Sequence, residues 1–295
     1  MGAFDRAFRL AEYKYVELGS FDRAVYTLMT SPHDLIVDFE NPPVAEVGLS
    51  VQLQGPTLDT SRAISAFFPA VQDRYPNIVS QPPVPPIEES FEIPTQATIA
   101  FQLFGGPESH RWSFVSENQL ETVQVQPDRF SYGWRKEETD TRYPHYGAIR
   151  DRFDAAYRSY LDVANGDVEA TWCEIYYVNP IMQAEGEPRP DLSTFMKRLV
   201  PQDLHGLPRP FNTGLEERFQ LERDGAPYAR FFIEVQSTVA RPRRLGYTIT
   251  LRMRGRPQSP DADGVLAFFD EGRERIVTTF RDITSPERHA EWGVR

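Results

Sequence analysis

Residues 124–136, QVQPDRFSYGWRK, leave the chain little freedom. Val123 and Val125 alternate with Thr122, Gln124 and Gln126, and the chain then turns at Pro127-Asp128. Beyond the turn Phe130, Tyr132 and Trp134 alternate with Ser131 and Gly133. A period of two sends successive side chains to opposite faces of a strand. The aromatic set, Phe130, Tyr132 and Trp134, is therefore assigned to a core. Arg135, Lys136 and, in the RYPHY run just behind, Arg142 are candidate binding residues.

The same alternation recurs along the chain. Val47, Leu49, Val51 and Leu53 alternate with Glu46, Gly48, Ser50 and Gln52 after the break at Asn41-Pro42-Pro43. Helical spacing marks 63–75, with Asp59, Thr60 and Ser61 as candidate caps, and 146–164, stopped by Asn165-Gly166. Between them QPPVPP, 81–86, reads as a stiff extended connector. Strands are expected at 98–104 and 111–116, with a turn at Asn118-Gln119 before the central block. The second half opens with a strand over 170–181. A short helix over 192–200, capped by Asp191, follows, then strands at 216–223, 228–238 and 245–254 and a last helix at 264–282. Asp224-Gly225 is a strong hairpin signal.

The fold class expected is α+β: two tandem β-α-β-β-β-α halves forming a large curved antiparallel sheet or partial barrel, with helices on one face. AEV at 45–47 and CEI at 173–175 take the same place in the two halves. The divisions expected are a helical arm, 1–40, a first half, 41–166, and a second, 167–295.

Bulk properties narrow the function. A net charge of −11 over 295 residues opposes non-specific coating of nucleic acid. Cys173 is the only cysteine, so the chain forms no internal disulfide. No apolar run spans a bilayer, and charges at Asp5, Arg6, Arg9 and Glu12 interrupt any leader core. A cytoplasmic protein without membrane attachment is expected.

Signatures of chemistry are sparse. His33, His110, His145, His205 and His289 are scattered, without metal spacing, and neither metal nor cofactor is expected. No GxSxG elbow or phosphate loop occurs. If the chain is an enzyme, the candidates are Glu46 and Glu174, brought together by the first strands of the halves as an acid–base pair. The alternative for each is an ion pair with Arg135 or Arg252, and it is preferred. Arg252, Arg254 and Arg256 share one face at i,i+2 spacing, and that face is rich in glutamine and threonine. These three arginines are expected to be solvated and to bind phosphate or carboxylate.

NPPVAEV, QPPVPP, QPDRFSYGWRK, RYPHY, CEIYYVNPI and HAEWG, in that order over about 41–293, resemble a sporadically distributed prokaryotic family of conserved proteins of unassigned function. The resemblance implies no established activity, cofactor or catalytic residue. A patchy distribution implies an accessory, defence-associated role. The leading expectation is a non-catalytic component that binds a protein or peptide partner. A nucleic-acid-binding module on the Arg/Gln/Thr face is the second, and a metal-independent nuclease or hydrolase the third.

Overall fold

A computed structural model describes residues 39–55, 62–87, 89, 91, 110–137, 141–164, 168–182, 196, 214–240 and 244–294. The chain divides into Met1–Leu35 and Ile36–Arg295, and every described residue belongs to the second unit. The expected arm, the 98–104 strand, the 192–200 helix and the caps at Asp59, Thr60, Ser61, Asn165-Gly166 and Asp191 fall outside the described residues, except Phe39, Glu40 and Met196.

Nine strands run antiparallel among the described residues: β1 (Glu46–Gln54), β2 (Asn77–Gln81), β3 (Arg111–Val115), β4 (Glu121–Gln126), β5 (Arg129–Arg135), β6 (Glu169–Met182), β7 (Gly214–Arg223), β8 (Ala226–Ala240) and β9 (Arg244–Gly255). Their order is linear, β2-β3-β4-β5-β1-β6-β9-β8-β7. The central ladder is β1 against β6, with Gly48 opposite Tyr176 and Ser50 opposite Glu174. Tight turns set the registers. Gln119, between β3 and β4, has φ 60°, and Asp224 and Gly225, between β7 and β8, have φ 53° and 77°. Two successive positive φ values are what a type I′ turn requires, which is why Asp-Gly stands there.

The alternation sorts the faces. Val47, Leu49 and Val51 are fully buried, as are Phe130, Tyr132 and Trp134 and, on β6, Cys173, Ile175 and Tyr177. Burial pushes the Cys173 thiol well above its ordinary value, so it packs as a small apolar side chain. Over this face lie α1 (Phe68–Val71, entered through a π-helical turn, Ala63–Phe67), α2 (His145–Val163) and α3 (Ala262–Ile283). Pro69 stands at the start of α1, where its missing N–H costs nothing. Asp261 caps α3 by accepting from Gly264 N at 2.8 Å, which holds its carboxyl below the usual range.

Phe130 is the hub of the core. Its ring centroid lies 5.2 Å from Tyr157, 5.3 Å from Tyr160, 5.7 Å from Phe153 and 6.1 Å from Phe67. One β5 side chain thus meets both α2 and the π-helical turn that leads into α1. Phe153 then meets Phe269 of α3 edge to face at 5.0 Å. A short helix, α4 (Pro286–Trp292), closes the chain, and Phe39 packs between its Trp292 and Phe280 of α3.

Several elements differ from the sequence reading. β2 was not expected, because its residues are mostly exposed and show no alternation. The 63–75 helix ends at Val71 and the central block is two strands. Trp134→Ala removes a buried indole, and we expect it to cost about 3–5 kcal/mol in chemical denaturation, with binding lost only through unfolding.

Candidate functional site

The open face of the sheet carries the other half of each alternation. Its rows can be read across the ladders. Gln126 of β4 stands opposite Arg129 of β5, which stands opposite Gln52 of β1, which stands opposite Trp172 of β6. The proline-rich connector lies along this row. Val84 N donates to Gln126 Oε1 at 3.0 Å, and Gln126 Nε2 donates to Val84 O at 3.0 Å. Ile87 N donates to Gln52 Oε1 at 3.2 Å, and the Arg129 guanidinium donates to Pro85 O. Farther along, Phe91 stacks on Trp172 with centroids 5.7 Å apart.

This strap is held by oriented side chains. Asp128, in the β4–β5 turn, accepts from Gln126 Nε2 at 2.6 Å and from Gln52 Nε2 at 2.8 Å. One carboxylate therefore fixes both amides with their oxygens available to the strap. Gln52, Gln126 and Arg129 are all buried, and burial pulls the Arg129 guanidinium below its ordinary value. Buried polar groups on this scale demand partners, and the strap's main chain and Asp128 supply most of them, Arg129 Nε excepted.

Beside the strap lies a trough of about 520 Å³ over β4, β5, β1 and β6. Its floor is made of small or polar side chains: Thr122, Gln124, Ser131, Gly133 and Ser50. Ser50 Oγ donates to Ser131 Oγ at 2.8 Å. Tyr176 lies over Gly48, where a Cβ would stand 2.2 Å from its ring, so only glycine fits beneath it. The Tyr176 hydroxyl donates to Glu46 Oε1 at 2.7 Å, and burial with the neighbouring Glu46 carboxylate raises its pKa far above the usual tyrosine value. Tyr176 therefore remains a neutral donor. Arg135, its side chain 77% exposed, stands 3.8 Å from Glu46 at the rim, near Lys136 and Glu137.

The expected pair Glu46 and Glu174 does not converge. Glu46 stands opposite Val178 and Glu174 opposite Ser50, four positions apart along β6. That offset is about 13 Å at strand rise, wider than the 5–10 Å of working carboxylate pairs. Each glutamate is instead bound to cations: Glu46 to Arg135, and Glu174 to Arg254 at 2.7 Å and Arg252 at 3.8 Å.

The arginine row also differs from expectation. Arg252 and Arg254 do share the open face, but they are half-buried, not solvated. Arg254 binds Glu89 of the strap at 2.8 Å as well as Glu174, and Arg252 reaches Glu234 at 3.5 Å. Phe232 sits among them, with Arg252 and Arg254 5.9 and 5.8 Å from its ring. Their register opposite carboxylates explains the difference, since Glu174 faces Arg254 directly across the ladder. Arg256 alone is exposed, 5.1 Å over Trp172. Arg142 is exposed on the approach to α2.

Gln52 and Gln126 were expected only as part of a glutamine-rich open face, and Arg129, Asp128, Ser50, Ser131 and Tyr176 were not singled out as a site from sequence. The signal was present in part, because alternation puts the glutamines on the open side. It did not say that QPPVPP crosses above them. Among the described residues no group of three or more His, Cys, Asp or Glu side chains is placed to hold a metal ion, and no helix is long and apolar enough to cross a membrane. No protein-family model matches the chain, and no curated protein does.

Two outcomes are expected here. Arg254→Ser removes the short-range cation from Glu174 and Glu89, leaving them only Arg252 and Arg230 at 3.8 Å, and lowers unfolding free energy by about 2–3 kcal/mol, read by denaturant titration. Gln52→Leu removes the acceptor for Ile87 N, so hydrogen exchange at the Ile87 amide accelerates several-fold while that at Val47 and Leu49 changes little.

Proposed function

We propose that this chain is a non-catalytic component that binds a protein partner through an extended segment laid on the open face of its sheet. One observation carries the reading. The face already holds a stretch of extended polypeptide, its own strap, by side-chain amides aimed at main-chain groups, and an open trough of like chemistry lies beside it. The nucleic-acid reading is weaker, because the cations it needs at Arg252 and Arg254 are committed to Glu174, Glu89 and Glu234. The enzyme reading is weaker because Glu46 and Glu174 stand apart.

We further infer an internal duplication of a β-α-β-β-β-α unit, the copies joined at β1 and β6, with β2 as an additional edge strand in the first copy, which therefore runs β-α-β-β-β-β-α. Its support is the strand order, β1-β5-β4-β3 outward on one side and β6-β9-β8-β7 on the other. A two-fold through the Gly48–Tyr176 pair relates Glu46 to Glu174, and each faces an arginine on the next strand, Arg135 and Arg254. The resemblance to the sporadic prokaryotic family, the cytoplasmic location and an accessory, defence-associated setting belong to the same proposal.

The test is a displayed library of random peptides selected on the purified protein and counter-selected on Ser131→Leu, which fills the trough without touching the core face. Binders that lose about tenfold in affinity on the variant, a change of about 1.4 kcal/mol, support the reading, provided both proteins melt alike. Salt-dependent oligonucleotide binding in place of peptide binding overturns it. So does turnover of a nucleotide, RNA or peptide substrate that Glu46→Gln or Glu174→Gln abolishes.

A further inference from the structure

The strap carries a spacing rule. In QPPVPPI, 81–87, four residues are prolines, so main-chain N–H groups occur only at 81, 84 and 87. A polyproline II helix repeats every three residues, which aims the Val84 and Ile87 N–H groups the same way about 9.3 Å apart. Strands in a sheet are spaced at about 4.8 Å, so two spacings make about 9.6 Å. Gln126 and Gln52, which accept those two N–H groups, are two strands apart in one row, with Arg129 between them reaching the intervening Pro85 carbonyl. The pitch of the strap and the spacing of the sheet are commensurate.

One row along, the same three strands repeat the arrangement. Gln124 stands opposite Ser131, and Ser131 opposite Ser50. Gln124 Oε1, which accepts a long 3.4 Å bond from Arg111 and keeps a second lone pair, and Ser50 Oγ are acceptors two strands apart, with the Ser131 hydroxyl between them accepting from Ser50. This row forms the floor of the trough. The rim carries Arg135 and Lys136 against Glu46 and Glu137, a balance of signs that favours a segment without strong charge.

We propose that the trough binds a proline-rich segment of a partner protein in the polyproline II conformation. The segment crosses the strands alongside the strap, with an N–H group at every third residue over Gln124 and Ser50. This rests on the peptide-binding reading above and adds the class of peptide. The aligned row also fixes the direction of the bound segment, perpendicular to the strands, so it does not add to the sheet as an edge strand.

Two libraries of short peptides separate the two claims: one patterned as PPxPPx, where x is any non-proline residue, and one unbiased and depleted of proline. Both are titrated against the intact protein by calorimetry, and amide shifts are followed by NMR. Patterned peptides are expected to bind, to shift the Ser50, Gln124 and Ser131 amides, and to lose about tenfold in affinity on Ser131→Leu. If that variant does not fold, Gln124→Ala gives the same readout with less disturbance. Binding by the proline-depleted library alone overturns the polyproline assignment and leaves the peptide-binding face standing. Failure of both libraries overturns both. Patterned peptides that shift only the Gln52 and Arg129 amides, indifferent to Ser131→Leu and Gln124→Ala, displace the strap, and the trough is not their site.

Discussion

The β1–β6 ladder is the contact on which the rest of the structure depends. It pairs Glu46–Gln54 with Glu169–Met182 and joins β5-β4-β3-β2 on one side to β9-β8-β7 on the other in a single sheet. Strands with a single apolar face gain little stability alone. Joined, they give α2 and α3 a common surface, and the edge-to-face pair of Phe153 and Phe269 ties the two helices together above it. The core is correspondingly aromatic and centres on Phe130, one residue that meets helices from separate parts of the chain.

A sheet with one covered face leaves the problem of the other. Here the open side is divided by composition. Towards β9 and β8 it is a mesh of arginines and glutamates around Phe232, where each charge is met within the fold. Towards β4 and β1 it is amide and hydroxyl chemistry, with the strap seated on buried glutamines. Neither region resembles the freely solvated surface usual for an antiparallel sheet. The carboxylates Glu89, Glu174 and Glu234 neutralise an arginine row that, read along the chain, looks like a phosphate-binding stripe.

Much of the fold was legible because the side-chain period is local information. Val47 to Leu53 and Phe130 to Trp134 declare their buried faces within a few residues, and Asp224-Gly225 declares its turn. An antiparallel sheet with helices follows from such signals. What lies between strands is not local. That Arg254 stands opposite Glu174, or that Glu46 and Glu174 are offset by four positions, depends on register across residues 80 to 130 apart in the chain, about which periodicity is silent. β2 escaped notice because an edge strand with exposed Ile78 and Val79 has no buried face to mark it. The site was half legible. The glutamines were placed on the open side, but only tertiary structure sets Asp128 between Gln52 and Gln126 and lays the prolines over them.

The strap also removes a degeneracy that the core leaves open. Sliding β5 past β1 by one residue would invert every side chain, and the apolar pattern forbids it. Sliding by two would not. Val47, Leu49 and Val51 would still meet Phe130, Tyr132 and Trp134 on the buried face, and apolar burial discriminates poorly between these alignments. The polar row does discriminate, since only one alignment brings Gln126, Arg129 and Gln52 into a line. In any other, the strap's N–H groups at Val84 and Ile87 lose their acceptors. A short run of prolines thus acts as a cross-tie that selects one of several nearly equivalent registers, and it does so from the face opposite the hydrophobic core.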